Sequence, residues 1–197
     1  MIKFNSRKMS IFLMSIMLLT GCVANLKDSG DTHAGVDDNY PWETWETCSQ
    51  IIGDHPCDFT LTDQNGDDVS LYEHHGDVIV LDLSTMWCGP CQMAASETQS
   101  IQDKYAGRIT YVTVLIENLA GVDPIQEDLT LWSDVFGINA PILGGSRSLI
   151  DSGGVIGWPI ESWPTFFFIT DEMVLHTSMK GFSAYYLEAL IEDTLEQ

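Results

Sequence analysis

The feature that most constrains this chain is a C-x-x-C motif, Trp87-Cys88-Gly89-Pro90-Cys91, set between a strand pattern and a helix pattern. The run Val78–Leu83 precedes it and is apolar except for Asp82, which predicts a strand buried on both faces. After Cys91, apolar or small residues recur at three- and four-residue intervals and predict one face of a helix: Ala94, Thr98, Ile101 and Tyr105. The two cysteines therefore lie at a strand-to-helix corner.

This corner suits dithiol–disulfide exchange. Cys88 is predicted at the helix N-terminus, where unpaired backbone N–H groups and the helix dipole stabilise a thiolate. Pro90 fits the first helical turn, where a missing N–H costs nothing. Cys91, three residues after Cys88, can close a disulfide with it.

The same motif can form half of a zinc site, which is the main structural alternative. A zinc site needs two further ligands, and the five histidines of the chain provide no second ligand pair at a suitable spacing. We therefore expect neither a metal nor a cofactor.

The motif and its context resemble the thioredoxin superfamily, in particular the membrane-anchored thioredoxin-like proteins of the TlpA and ResA type. The resemblance runs from about Asp58 to the C-terminus. It implies that Asp82 is a buried acid beneath the disulfide. It also implies that Trp163-Pro164-Thr165 forms a loop with a cis proline. Cys88, Cys91, Asp82 and Pro164 would be the catalytic residues. The surrounding shell would comprise Trp87, Gly89, Pro90, Trp163 and Thr165.

The N-terminal segment reads as a lipoprotein signal peptide over residues 1–21. Lys3, Arg7 and Lys8 precede an apolar stretch too short to span a bilayer. Leu19-Thr20-Gly21-Cys22 resembles the lipobox of bacterial lipoproteins, so Cys22 would carry lipid and residues 22–39 would form a flexible tether. The alternative is an ordinary secretory signal. A lipid anchor implies an envelope location facing the periplasm, and Val23 slightly favours the outer membrane.

An N-terminal extension, residues 40–57, contains Cys48 and Cys57 on either side of a turn-rich loop. In an oxidising compartment this arrangement predicts a structural disulfide. The alternative is a second redox pair that relays electrons to Cys88 and Cys91.

Residues 58–197 are predicted to form one thioredoxin-like domain. A hairpin turning at Asn65-Gly66 is followed by strand, helix, strand, helix, two strands and a final helix capped by Ser183. Asp123-Pro124 is predicted to open the second helix. The fold class is α/β, a central mixed sheet with helices on both faces and an N-terminal hairpin extension.

These features predict a thiol–disulfide oxidoreductase that reduces disulfides of envelope proteins and is re-reduced by a membrane electron donor. The net charge of −21 argues against nucleic acid as a partner. Two alternatives remain. Thr85 precedes Cys88 by three residues, as in thiol peroxidases of the peroxiredoxin type, although Leu81 replaces the proline of that pattern. A copper-handling or scaffold module of the same fold is the non-enzymatic alternative.

Overall fold

The computed structural model describes residues 47–151 and 157–197. The strands are β1 Thr60–Thr62, β2 Asp68–Ser70, β3 Val78–Thr85, β4 Ile109–Glu117, β5 Ile142–Gly144, β6 Thr165–Ile169 and β7 Leu175–Lys180. The α-helices are α1 Gly89–Lys104, α2 Gln126–Phe136 and α3 Ala184–Thr194. Two short 3-10 helices span Leu71–His74 and Arg147–Leu149.

Strand β3 lies at the centre of a five-stranded sheet of order β5-β4-β3-β6-β7. It pairs in parallel with β4 and antiparallel with β6, which makes the sheet mixed. All eight residues of β3 are buried, as expected for a continuous apolar strand covered on both faces. The predicted α/β fold class, a central mixed sheet flanked by helices, is confirmed.

The two faces of the sheet are covered differently. All three α-helices contribute buried side chains to one core cluster, which includes Val80 and Tyr111 of the sheet. The opposite face carries Leu81 and Val114 and packs against the β1–β2 hairpin, the two 3-10 helices and Trp158. We expected helices on both faces; the α-helices lie on one, and the other has short 3-10 turns. Side chains of β3 alternate between the faces, so Asp82 lies on the α-helical side with Val80.

Two predicted boundaries differ from the structure. Helix α2 begins at Gln126, not at Asp123-Pro124, because the Asp128 side chain accepts the backbone N–H of Ile125 at 3.0 Å and caps the helix there. Ile125 is exposed and does not join the apolar stripe of α2. The sequence predicts the last strand over Met173–Thr177, but β7 begins at Leu175, two residues later, and continues to Lys180.

Several predictions about the N-terminus lie outside the described residues. They concern the signal peptide at 1–21, lipidation of Cys22, the tether at 22–39 and the start of the 40–57 extension. Within residues 47–151 and 157–197, none of the helices combines the length and hydropathy that a membrane span requires.

Candidate active site

Helix α1 starts at the C-x-x-C motif and places both thiols within its first turn. Cys88 is the N-cap residue, and its Sγ accepts the backbone N–H of Cys91 at 3.3 Å. Both cysteines are free thiols; Cys88 is 6% exposed and Cys91 is fully buried. A helix N-terminus stabilises a sulfur that carries negative charge. Cys88 is therefore the thiol suited to attack, and Cys91 is the thiol suited to resolve.

Cys91 is held in its protonated form by its surroundings. Burial is the largest cause that raises the pKa of the Cys91 thiol well above its ordinary value. The hydrogen bond with Cys88 and the nearby carboxylate of Asp82 raise it further. A buried thiol of this kind needs a proton acceptor before it can attack Cys88.

Asp82 lies on the α-helical side of the sheet and has a pKa suited to accepting the Cys91 proton. Its side chain is buried, and desolvation raises the pKa of the carboxyl to about 7. Two hydroxyls partly offset that shift: Ser84 Oγ donates to Oδ1 at 2.6 Å, and Tyr111 Oη lies 3.5 Å from Oδ2. A carboxyl with this pKa can take up and release a proton near neutral pH.

A second acid supports the residues just before Cys88. The Glu117 carbonyl accepts the backbone N–H of Met86 at 2.9 Å, and its Oε2 accepts the indole N–H of Trp87 at 2.8 Å. The other carboxylate oxygen accepts from Nε of Arg147. Arg147 and Trp87 together hold the pKa of Glu117 below its usual range. Trp87 is thus fixed in place although 46% of it is exposed.

The proline loop lies at the same end of the sheet. The Trp163–Pro164 peptide is cis, as predicted. Thr165 pairs with Leu83 of β3, so the register places Pro164 beside the end of the strand that leads to Cys88. Trp163 is half-buried and packs on the sheet face opposite the α-helices.

Cys48 and Cys57 form a disulfide, but not at this site. The loop between them is bonded to the start of β7, where Gly53 N–H donates to the Leu175 carbonyl at 2.8 Å. Leu175 pairs with Ile169, which in turn pairs with Ile79 at the beginning of β3. The disulfide loop is therefore at the opposite end of the sheet from Cys88.

Comparison with known proteins gives the family. The profile of the AhpC/TSA family matches residues 52–178, well over half of the chain. The chain belongs to the AhpC/TSA family.

Individual proteins resemble this AhpC/TSA chain in sequence or in structure. Thioredoxin-like protein YneN of Bacillus subtilis (strain 168) is 24% identical over 140 residues, 68% of this chain and 77% of YneN. A solved Chlorobium tepidum structure, a candidate DsbE thiol:disulfide interchange protein, has a TM-score of 0.59 at 26% identity and covers 75% of this chain and 99% of its own. Peroxidoxin BcpB of Mycobacterium tuberculosis has a TM-score of 0.55 at 19% identity, over 74% of this chain and 96% of its own.

The AhpC/TSA chain is an oxidoreductase whose site has the parts needed for thiol–disulfide exchange: one thiol at a helix N-terminus, one buried thiol, and a carboxyl with a pKa of about 7. Among the described residues, no three His, Cys, Asp or Glu side chains are grouped as metal ligands.

Sequence reasoning missed four contributors to the site: Ser84, Tyr111, Glu117 and Arg147. Ser84 could have been found by extending the predicted strand Val78–Leu83 by one residue, because a residue two after Asp82 lies on the same face. The other three are far from the motif in sequence: the pairing of β4 with β3 brings Tyr111 and Glu117 to it, and Arg147, in the 3-10 helix after β5, reaches it through Glu117.

Proposed function

We propose that this protein is a lipid-anchored reductant of disulfides in envelope proteins, acting at the periplasmic side of a bacterial membrane. The observation that carries the proposal is the pairing of Cys88 at the start of α1 with fully buried Cys91, above the protonatable carboxyl of Asp82. This arrangement separates an attacking thiol from a resolving thiol.

The reaction has two exchange steps. The Cys88 thiolate attacks one sulfur of a substrate disulfide, and the other substrate sulfur leaves and takes a proton. Asp82 then accepts the proton of Cys91, whose sulfur attacks Cys88 and releases the second substrate thiol. Two electrons pass to the substrate and the protein is left with a Cys88–Cys91 disulfide. A dithiol or another electron donor in the membrane must reduce that disulfide before the next cycle.

A buried carboxyl with a pKa near 7 supports the resolving role of Asp82. The test is a single-turnover measurement of mixed-disulfide resolution in Asp82→Asn. We expect resolution at pH 8 to slow by about 10²-fold, the usual contribution of a positioned proton acceptor. A variant that resolves the mixed disulfide at the wild-type rate would remove Asp82 from the mechanism.

The motif and its surroundings support the proposed direction of exchange. Strong oxidants stabilise the thiolate of the reduced form, which raises the reduction potential. Here Gly89 and Pro90 separate the cysteines, and burial together with Asp82 opposes a negative charge on Cys91. We expect equilibration with glutathione to give a potential near that of thioredoxin, about −270 mV. A value near about −120 mV, typical of a strong oxidant, would reverse the proposed direction.

Lipid anchoring is supported by the Leu19-Thr20-Gly21-Cys22 sequence. We expect the mature chain to begin at Cys22, with residues 22–39 as the tether. Mass spectrometry of protein extracted from membranes of the native host should show an acylated N-terminal Cys22. Cleavage elsewhere, with Cys22 unmodified, would replace the anchor with an ordinary secretory signal.

A thiol peroxidase is the second candidate, and one observation favours it. The Thr85 side chain is fully buried three residues before Cys88, and its Oγ1 has no hydrogen-bond partner in the described part of the chain. A hydroxyl in this position could bind a peroxide oxygen. Hydrogen peroxide should nevertheless oxidise the reduced protein more slowly than a disulfide substrate does. Faster oxidation by peroxide, lost in Thr85→Val, would make the peroxidase the better assignment.

A further inference from the structure

The side chain of Thr113 carries a buried hydroxyl that has no hydrogen-bond partner. Thr113 lies in the middle of β4 and is 1% exposed. Within residues 47–151 and 157–197, no group donates to its Oγ1 or accepts from it. Buried hydroxyls are usually hydrogen-bonded, because leaving one unpaired lowers the stability of the fold. An unpaired hydroxyl inside the core therefore needs an explanation other than packing.

Thr113 lies beside Asp82. The two residues are partners in the parallel pairing of β3 with β4, so their side chains leave the same face of the sheet on adjacent strands. Adjacent strands are about 4.8 Å apart, so rotation about χ1 can turn the Thr113 hydroxyl toward the carboxyl without a backbone movement. Tyr111, two residues earlier on β4, shares this face, and its Oη is 3.5 Å from Oδ2 of Asp82. That distance is longer than an ordinary O–H···O hydrogen bond.

The Asp82 carboxyl has few other partners. Ser84 Oγ donates to Oδ1 at 2.6 Å, and the neighbour on the β6 side is the apolar Phe166. The ionisable groups that interact with Asp82 are the Cys91 thiol of α1 and the Tyr111 hydroxyl of β4. Helices α2 and α3 add apolar side chains to this core, and no Lys or Arg of the described residues interacts with Asp82. A negative charge on this carboxyl must therefore be stabilised by hydroxyl groups.

We propose that Thr113 and Tyr111 are positioning residues that donate hydrogen bonds to Asp82 when it becomes a carboxylate. The charge appears in the resolving step, as Cys91 Sγ gives its proton to Asp82, and this inference rests on that proposed function. A carboxylate accepts more hydrogen bonds than a protonated carboxyl, and the bonds to it are shorter and stronger. The long Tyr111 contact and the unpaired Thr113 hydroxyl are thus the arrangement expected for protonated Asp82. Both contacts shorten as the charge forms.

Removing either hydroxyl should change the pH range in which Asp82 accepts a proton. Thr113→Val and Tyr111→Phe each delete a hydroxyl and keep the shape of the side chain. Loss of one donor to the charged form should raise the titration midpoint of Asp82 by about 1 pH unit in each variant, about a 10-fold decrease in its acid dissociation constant. Carbon NMR of the Asp82 carboxyl, assigned by its absence from Asp82→Asn, measures the midpoint. The protein is titrated with Cys88 and Cys91 joined, so that neither thiol ionises.

Two further variants separate the hydroxyl from packing. Thr113→Ser loses a methyl group but keeps the hydroxyl, so its midpoint should stay at the wild-type value. Thr194→Val deletes another buried threonine hydroxyl, which donates to the Leu190 carbonyl within α3, and should also leave the midpoint unchanged. The acidic limb of the pH profile for single-turnover resolution of a mixed disulfide should move to higher pH in Thr113→Val and Tyr111→Phe, and in neither control.

The outcomes separate this inference from the function on which it rests. Wild-type midpoints in both Thr113→Val and Tyr111→Phe overturn the inference. An equal rise in Thr113→Ser or Thr194→Val also overturns it, because the effect would then come from packing. A reduced wild type that forms no mixed disulfide with hydroxyethyl disulfide refutes the proposed function. The NMR titration does not depend on that reaction, so it still decides whether the two hydroxyls stabilise the Asp82 carboxylate.

Discussion

The two cysteine pairs of this chain differ in almost every physical respect. Cys88 and Cys91 are three residues apart, buried and unbonded, in the first turn of a helix. Cys48 and Cys57 are nine residues apart and joined, and residues 51–54 at the tip of the loop between them are exposed. The first pair has a buried carboxyl beneath it. The second is bonded through Gly53 and Asp54 to the backbone of β7.

The difference shows that position, more than cysteine spacing, decides what a pair can do. Six residue steps of β3, from Ile79 to Thr85, separate the two ends of the sheet, roughly 20 Å at strand rise. A sulfur at one end cannot attack a sulfur at the other. The alternative in which Cys48 and Cys57 relay electrons directly to Cys88 is therefore disfavoured, and we predict that the first pair turns over while the second stays joined.

The largest expected effect comes from replacing the attacking thiol of Cys88. Cys88→Ser should lower disulfide reduction by more than about 10³-fold, because a hydroxyl does not ionise near neutral pH as a thiol can. Cys48→Ser/Cys57→Ser removes as many cysteines as the motif contains and should retain the wild-type rate within about 2-fold. Insulin reduction at 25 °C measures both. Comparable losses in the two variants, with both folded, would revive the relay.

The next largest effect concerns Asp82, the buried acid beneath Cys88 and Cys91. The pKa of Asp82 is about 7 in the fold against 3.8 as the reference, so the fold favours the protonated form. The stabilisation of the fold by protonated Asp82 is complete below pH 3.8 and is lost as the pH rises through 7. The loss amounts to about 4 kcal/mol in the free energy of unfolding of the reduced protein.

Urea unfolding at several pH values between 4 and 8 measures this loss. Asp82→Asn should abolish most of the slope, because the amide does not titrate. Asp134→Asn, on the outer side of α2, exchanges another acid for its amide and should leave the slope unchanged. A wild type with equal stability at pH 5 and pH 8 would contradict the raised pKa.

The Cys48–Cys57 disulfide should contribute to stability and not to activity. Closing a loop of this length is worth about 2–3 kcal/mol on the chain-entropy account, so Cys48→Ser/Cys57→Ser should lower the free energy of unfolding by that amount and unfold at a lower urea concentration. Mild reductant that opens Cys88–Cys91 should leave Cys48–Cys57 intact, since structural disulfides have lower potentials. Thiol alkylation followed by mass spectrometry distinguishes the two bonds. Simultaneous opening of both disulfides would show that their reduction potentials do not differ.

The sequence predicted the local parts of the site and missed the distant ones. Strand β3, the start of α1 and Cys88 at the N-cap follow from patterns within a few residues of one another. Glu117 is 30 residues from Trp87 and Arg147 is 30 residues from Glu117. The pairing of β3 with β4 brings Glu117 to Trp87, and the pairing of β4 with β5 brings the segment that contains Arg147 to Glu117. No periodicity within one element contains that information.

The start of α2 shows a second kind of miss. Asp123-Pro124 has the composition of a helix start, yet the loop before Gln126 continues because Asp128 caps the helix from within its first turn. Two rival caps lie five residues apart, and composition alone does not rank them. The two-residue difference leaves Ile125 outside the helix, where it is exposed.

The smallest expected effect concerns the hydrogen bond by which Glu117 holds Trp87 next to Cys88. Glu117→Gln keeps an oxygen that can accept the indole N–H but removes the charge that strengthens this bond and the pair with Arg147. A weaker bond by about 0.5–1 kcal/mol should slow disulfide reduction by about 2–5-fold. Trp87→Phe removes the indole donor, so adding Glu117→Gln to it should slow the reaction little further. Glu172→Gln, an exposed acid in the β6–β7 turn at the far end of the sheet, removes the same charge and should leave the rate unchanged. Equal slowing by Glu117→Gln and Glu172→Gln would reduce the effect to net charge and remove Glu117 from the support of the active site.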